Sequence, residues 1–205
     1  MVLVYAPEYS SYLFQNYSSV TKFESMNYFN TSKSTSMTYM FQNCKLVTAL
    51  DTSNFDTSKV TTMQGMFSNY STLNNLDVSM FNTQNVTTMQ SMFSGCKVLT
   101  SLDVFKWSTS NVTNFYMLFT SCNKLSTIDV SNWNTSKVRN MREMFNGCKS
   151  LLTLDMSSFD FSSLTDYEGM FYGITSDGTI YVKDDTSKTF VNKSNPSINC
   201  VIKEA

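Results

Sequence analysis

Residues 40–65 read MFQNCKLVTALDTSNFDTSKVTTMQG, and the chain repeats this stretch with small edits every 26 residues until Gly169. Further copies follow without a gap at 66–91, 92–117, 118–143 and 144–169. A worn copy at 13–39 precedes them, with Leu13, Phe14, Val20, Phe23, Phe29, Thr31 and Met37 in matching places and one extra residue before Phe29. A seventh opens as Met170-Phe171-Tyr172-Gly173 and then leaves the pattern. A fixed period of roughly 20 to 50 residues marks a stacked repeat, in which each unit buries its apolar face only against its neighbours. The expected organisation is an entry segment (1–12), a six-repeat solenoid (13–169), and a partial seventh repeat with a C-terminal β cap (170–205).

Inside one copy, Leu99-Thr-Ser-Leu102-Asp103-Val104 has the spacing of a short strand with one inward face. Its inward places recur as Val47, Leu73, Leu99, Leu125 and Leu151, as Leu50, Leu76, Leu102, Ile128 and Leu154, and as Val78, Val104, Val130 and Met156. Stacked at about 4.8 Å, these strands are expected to form one continuous parallel sheet. An aromatic column of Phe55, Phe81, Trp107, Trp133 and Phe159 follows, placed to plug the corner where the chain leaves the sheet. Next come N-cap candidates at Thr57-Ser58, Ser110 and Ser136, then Val60, Met63, Met66 and Phe67 at i, i+3, i+6 and i+7. That spacing predicts a helix of about two turns in every repeat, held by packing its Met-Phe face onto the sheet. Gly95, Gly147 and Gly173 stand where such a helix would stop. The fold class expected is therefore α/β, with one short parallel strand and one short helix per repeat.

The 205 residues suffice for one domain, which the repeats nearly fill. A net charge of −1 with 15% charged residues lacks the basic footprint of a nucleic-acid binder. No apolar run approaches the roughly 20 residues needed to span a bilayer, and MVLVYAPEYS lacks the basic start and apolar centre of a signal peptide. Cys44, Cys96, Cys122 and Cys148 share one place in the repeat, where Tyr17 and Tyr70 stand in the other copies. A place that accepts Cys or Tyr reads as inward packing with free thiols, because stacking alone does not supply the Cβ orientation of a disulfide. Zinc ligation is not expected, since Cys-x-x-Cys pairs and all His are absent. The same absence of His, together with the lack of a Gly-rich phosphate loop, leaves Ser and Cys without a base and points to a non-enzyme.

MFSGCKVLTSLDV at 92–104 and SNWNTSKVRNMREMFNGCKSLLTLDMSSF at 131–159 resemble the bacterial surface-protein 26-residue repeat, a leucine-rich-repeat-like group related to BspA-like surface proteins. The resemblance covers about residues 13 to 184, including the DGTIYVKDD stretch (177–185), which is similar to the usual ending of that family. It implies a leucine-rich-repeat-like solenoid, exported or lipid-anchored on a bacterial surface, with an adhesive or host-interaction role and varied partners.

Three features stand out from the repeat. Asp51, Asp77, Asp103, Asp129 and Asp155 form an outward column in which neighbouring carboxylates at about 5 Å repel by about 0.8 kcal/mol in bulk water. Either a cation such as calcium or a basic partner offsets that cost, or hydrogen bonds from Ser53, Ser79, Ser131 and Ser157 do. Thr57, Thr83, Thr109 and Thr135 could present a flat ice- or polymer-binding lattice, but their place before the expected helix makes them turn and capping residues. Phe105, Lys106 and Tyr116 depart from the polar consensus of their columns and suit a protein-contact patch, against a reading as drift with local packing. Seven Asn-x-Ser/Thr sites follow from the composition of the repeat and matter only in a cell that glycosylates. The expected function is a non-enzymatic binding module for a protein or glycan on a host or neighbouring cell surface, extracellular or surface-located, acting through its strand face and adjoining loops. The alternative is a spacer that displays another domain.

Overall fold

A computed structural model describes residues 4–204; the first three residues of the expected entry segment and Ala205 lie outside the described residues. The chain winds as a repeat, solenoid-like stack whose coils advance by the period read from the sequence. On one side run the short parallel strands: β1 (Val4–Tyr5) beside β2 (Phe29–Asn30), β3 (Ala49–Leu50) beside β4 (Asn75–Leu76), and β5 (Ser101–Leu102) beside β6 (Thr127–Ile128). The last group is β7 (Thr153–Asp155), β8 (Thr179–Val182) and β9 (Asn199–Ile202). Leu50 lies opposite Leu76, Leu102 opposite Ile128 and Leu154 opposite Ile180, each a 26-residue step.

The strands depart from expectation in being separate groups rather than one continuous sheet. Most hold two residues, with one further backbone bond beside the pair, such as Asn74 N–H to Thr48 C=O and Ser126 N–H to Thr100 C=O. The unbroken ladder is on the other side. There Tyr9, Ser36, Thr62, Thr88, Asn114, Asn140 and Asp166 bridge in one parallel row. Each junction beside that row has at least five backbone bonds: Met63, Gly65, Phe67 and Asn69 donate to Thr88, Gln90, Met92 and Ser94, and Thr87 donates back to Thr61.

No repeat contains the expected helix. In place of i to i+4 bonds, the Val60–Phe67 stretch makes a string of three-residue turns, with Val60 N–H bonded to Thr57 C=O, Met66 to Met63 and Tyr70 to Phe67, while the alternate N–H groups leave for the next coil. Two left-handed positions per coil make this possible. Tyr39, Gly65, Ser91, Met117, Glu143 and Gly169 form one such column, and Asn43, Asn69, Gly95, Ser121, Gly147 and Gly173 the other. The glycines read as helix stops are members of the second column, where positive φ costs glycine nothing. The physical reason for the missing helix is width. An α-helix is about 10–12 Å across, and coils paired on both sides at about 4.8 Å leave room for a single backbone layer.

The core expected from the sequence is in place and is lined by every apolar column. Val60, Met63, Met66 and Phe67 are fully buried, and so are their counterparts Val138, Met141, Met144 and Phe145. Two aromatic stacks run the length of the molecule. Phe41, Phe67, Phe93, Phe119 and Phe145 follow each other at 5.5–6.0 Å between ring centres; Phe55, Phe81, Trp107, Trp133 and Phe159 do so at 6.3–6.5 Å with planes within 11°. All five cysteines are free and buried. Cys96, Cys122 and Cys148 donate their thiols to the carbonyls of Phe67, Phe93 and Phe119 in the preceding coil, at 3.1–3.3 Å. Burial pushes the thiols of Cys96 and Cys148 up to about 12. Tyr70 replaces Cys in this column, fully buried, with its hydroxyl unpartnered among the described residues, whereas Tyr17 of the first coil is half exposed.

The threonines read as caps have another role. Thr57, Thr83, Thr109 and Thr135 are buried, and each hydroxyl donates to a carbonyl of the next coil, at Asn82, Ser108, Asn134 and Asp160, over 2.9–3.0 Å. A surface lattice of these residues is thereby ruled out. At the entry, the segment is part of the stack rather than a loose lead: β1 pairs with β2, and Ser10, Tyr12, Phe14 and Asn16 donate to Ser36, Thr38, Met40 and Gln42. At the other end, α1 (Asp185–Ser194) connects β8 to β9 and is the α-helix of the described residues. Asp184 caps it by accepting from Ser187 N–H at 2.7 Å. There the step shortens, with Thr179 opposite Asn199.

Candidate binding face

The strand side carries an open groove and a smaller recess. Outward residues of β5, β6 and β7 line a groove of about 970 Å³, with Phe105, Asp103, Asp129, Leu152, Asp155 and Lys203 along it. A smaller recess of about 280 Å³ lies between β3 and β4 beside Asp51, Asp77 and Met80. The floor is the alternation of the strands themselves: Leu102 and Ile128 point in, while Ser101 and Thr127 point out.

Every aspartate of the column closes a turn. Asp51, Asp77, Asp129 and Asp155 accept the N–H of Ser53, Ser79, Ser131 and Ser157 at 2.9–3.0 Å, and Asp103 accepts that of Phe105 at 3.3 Å. The Ser79 and Ser131 hydroxyls add bonds of 2.7 and 2.6 Å. This is the Asx turn, in which a short acid holds the backbone two residues on. The bonds from Ser53 and Ser79 hold the Asp51 and Asp77 carboxyls below the usual carboxylate range. For Asp155 partial burial acts upward, and bonds from Lys203 and Ser157 outweigh it. Lys203 reaches back from the cap to Asp155 at 2.6 Å. Asp103 and Asp129 have no ion-pair partner among the described residues. Among those residues no three His, Cys, Asp or Glu side chains converge as a metal cage.

Phe105 is 46% exposed on the groove, with Lys106 exposed beside it. Tyr116 stands elsewhere. It lies past the buried Thr109 and the Asn114 bridge, half-buried in the row of Gln64, Gln90, Arg142 and Glu168, so Phe105 and Tyr116 do not form one patch. Two residues of the strand face, Leu152 on the groove and Met80 on the recess, escaped the sequence reading. Leu152, 55% exposed, occupies the outward place held by Thr48, Asn74, Thr100 and Ser126, and Met80, 75% exposed, occupies that of Asn54, Lys106, Asn132 and Ser158. Each is an apolar departure in a polar column, the same signal that singled out Phe105.

Period, parallel strand pairs and lateral ladder together define a solenoid-like repeat protein. The chain belongs to the family described as "Mycoplasma protein of unknown function, DUF285", which matches residues 9–102 and again 74–179. Among curated proteins none matches it. No helix among the described residues is long and apolar enough to cross a membrane.

Proposed function

We propose that the protein is a non-enzymatic binding module of a bacterial surface, akin to leucine-rich-repeat-like and BspA-like surface proteins, that holds a protein or glycan on a host or neighbouring cell. The observation that carries this reading is the groove along β5–β7, where the exposed Phe105 and Leu152 stand beside Asp103 and Asp129, which have no ion-pair partner among the described residues. Apolar rings and side chains ringed by polar groups are the composition of a contact surface. The test is binding of the labelled chain to intact cells, compared with a Phe105→Ala, Leu152→Ala variant of unchanged melting temperature. A loss of binding on the order of tenfold is expected; equal binding would sink the reading. The uninterrupted ladder from Tyr9 to Asp166 favours a second reading, a spacer, which retains no partner in the same experiment.

A further inference from the structure

The ladder side differs from the strand side in charge. At the places matching Thr62, Gln64 and Gly65, the coils from Tyr9 to Met117 carry hydroxyls, amides and rings but no charged side chain. The next two coils hold Arg142, Glu143, Asp166 and Glu168 there, with Arg142 paired to both glutamates. The uncharged end is also the aromatic end. Tyr9 is 71% exposed and Tyr12 54%, and the Tyr12 ring lies 5.5 Å from that of Tyr39 with planes 32° apart. Tyr12 and Tyr39 stand in the left-handed column at φ 62° and 53°, a strain that Gly65 and Gly169 avoid at the same place. Gly65 leaves the space that the Tyr39 ring fills, since a Cβ there would run into it. Gln64 Nε2 donates to the Tyr39 hydroxyl at 2.7 Å, and Asn114 Nδ2 donates to Gln90 Oε1 at 3.2 Å, so ring and amides are held in place before any ligand arrives.

We propose that this end of the ladder face binds a neutral polysaccharide laid along the stack. Fixed, exposed rings offer a flat apolar surface to the C–H face of a sugar, while amides and hydroxyls both donate and accept, as sugar hydroxyls do. Coils advance by about 4.8 Å, close to the length of one sugar ring, so successive sugars meet successive coils. A charged polymer would find no counter-charge in these coils. A protein partner would ordinarily meet arginines and a larger apolar centre than Met117 supplies. The site lies on the other side of the coils from the groove, goes beyond the role given to that groove and does not depend on it.

Retention of the full chain on cellulose, chitin, mannan and dextran tests it. At least one of these neutral polymers is expected to hold the chain, equally well in low and high salt, because no charge pair takes part. Tyr12→Ala, at an unchanged melting temperature, weakens that retention about tenfold. Should that variant melt early, Tyr9→Ala, at the more exposed ring, serves in its place with a loss of the same order. Failure of all four polymers overturns the proposal, and so does retention that fades in salt or is indifferent to both substitutions. Retention lost in the Phe105→Ala, Leu152→Ala variant but kept by Tyr12→Ala belongs to the groove and overturns it equally. If Tyr12→Ala instead loses binding to cells whose glycans have been destroyed with periodate, the occupant is a protein and the proposal falls.

Discussion

The repeats and the cap both contain a segment between parallel strands, yet the repeats turn theirs into a flat ladder and the cap makes a helix. Val60–Phe67 has neighbours above and below: Met63, Gly65 and Phe67 give their N–H groups to the next coil and Thr61 gives its own to the preceding one. Asp185–Ser194 has a coil on one side only, so its N–H groups bond within the helix and its width meets no second coil. The difference teaches that in a stack the conformation of a segment follows the space its neighbours leave, because a lateral bond and a helical bond compete for the same donors. The cap also shows how the stack ends: Phe190 packs on Phe161 at 4.2 Å and on Tyr167 at 4.7 Å, covering apolar surface that a further coil would otherwise bury.

The largest expected separation of the two regions is in alkali. Thiols of the unfolded chain ionise near about 8.5, while Cys96 and Cys148 hold their protons to about 12 because they are buried. With folded values raised, their contribution is complete below about pH 8.5 and is lost as pH rises toward 12. Denaturant titrations between pH 8 and 11 should therefore show falling stability, and a flat profile would contradict the burial. Next in size, Trp133→Ala should cost about 3–5 kcal/mol, as truncation of a stacked, fully buried ring does. Phe190→Ala in the half-buried cap helix should cost less than half as much; equal losses by chemical denaturation would erase the distinction. Gly173→Ala comes third. An added Cβ would stand 3.3 Å from Gly147 backbone at φ +78°, so about 1–2 kcal/mol is expected, whereas Asn192→Ala on α1 should be neutral or slightly stabilising. Thr109→Val removes one hydroxyl bond between coils and Asp184→Ala removes the cap of α1, each for about 1 kcal/mol by thermal melting. The smallest effect belongs to acid. Asp51 and Asp77 have lowered folded values, so their contribution is present above about pH 3.9 and fades as pH falls through the folded value. Melting at about pH 3, compared with an Asp77→Asn variant, should show a slight loss that the variant escapes.

The columns of inward residues, the buried cysteines and the outward aspartates were all legible, because each rests on a side-chain pattern that the period displays several times over. The ladder was not, since the donors that build it are backbone groups without a side-chain signature. Its traces are indirect: Gly65 and Gly169 share one place, Gly95, Gly147 and Gly173 another, four residues apart within a coil. The apolar residues at 60, 63, 66, 70 and 73 keep a spacing nearer three than 3.6, which suits a chain of turns. For the candidate face, Phe105 was visible as an aromatic among serines, while Leu152 and Met80 passed as ordinary apolar residues until their outward columns were known. Tyr116 carried the same signal as Phe105, and the fold sends it to another row.

By itself the sequence determined the period, the identity of the core columns and the acids that face out, since burial and alternation act on side chains that the repeat exhibits directly. Only the tertiary structure decided that Val60–Phe67 lies flat, that Asp185–Ser194 coils, and that this helix covers the end of the stack. Those outcomes depend on how closely one coil approaches the next, a distance set by bonds between residues 25 or 26 apart and written in no single repeat.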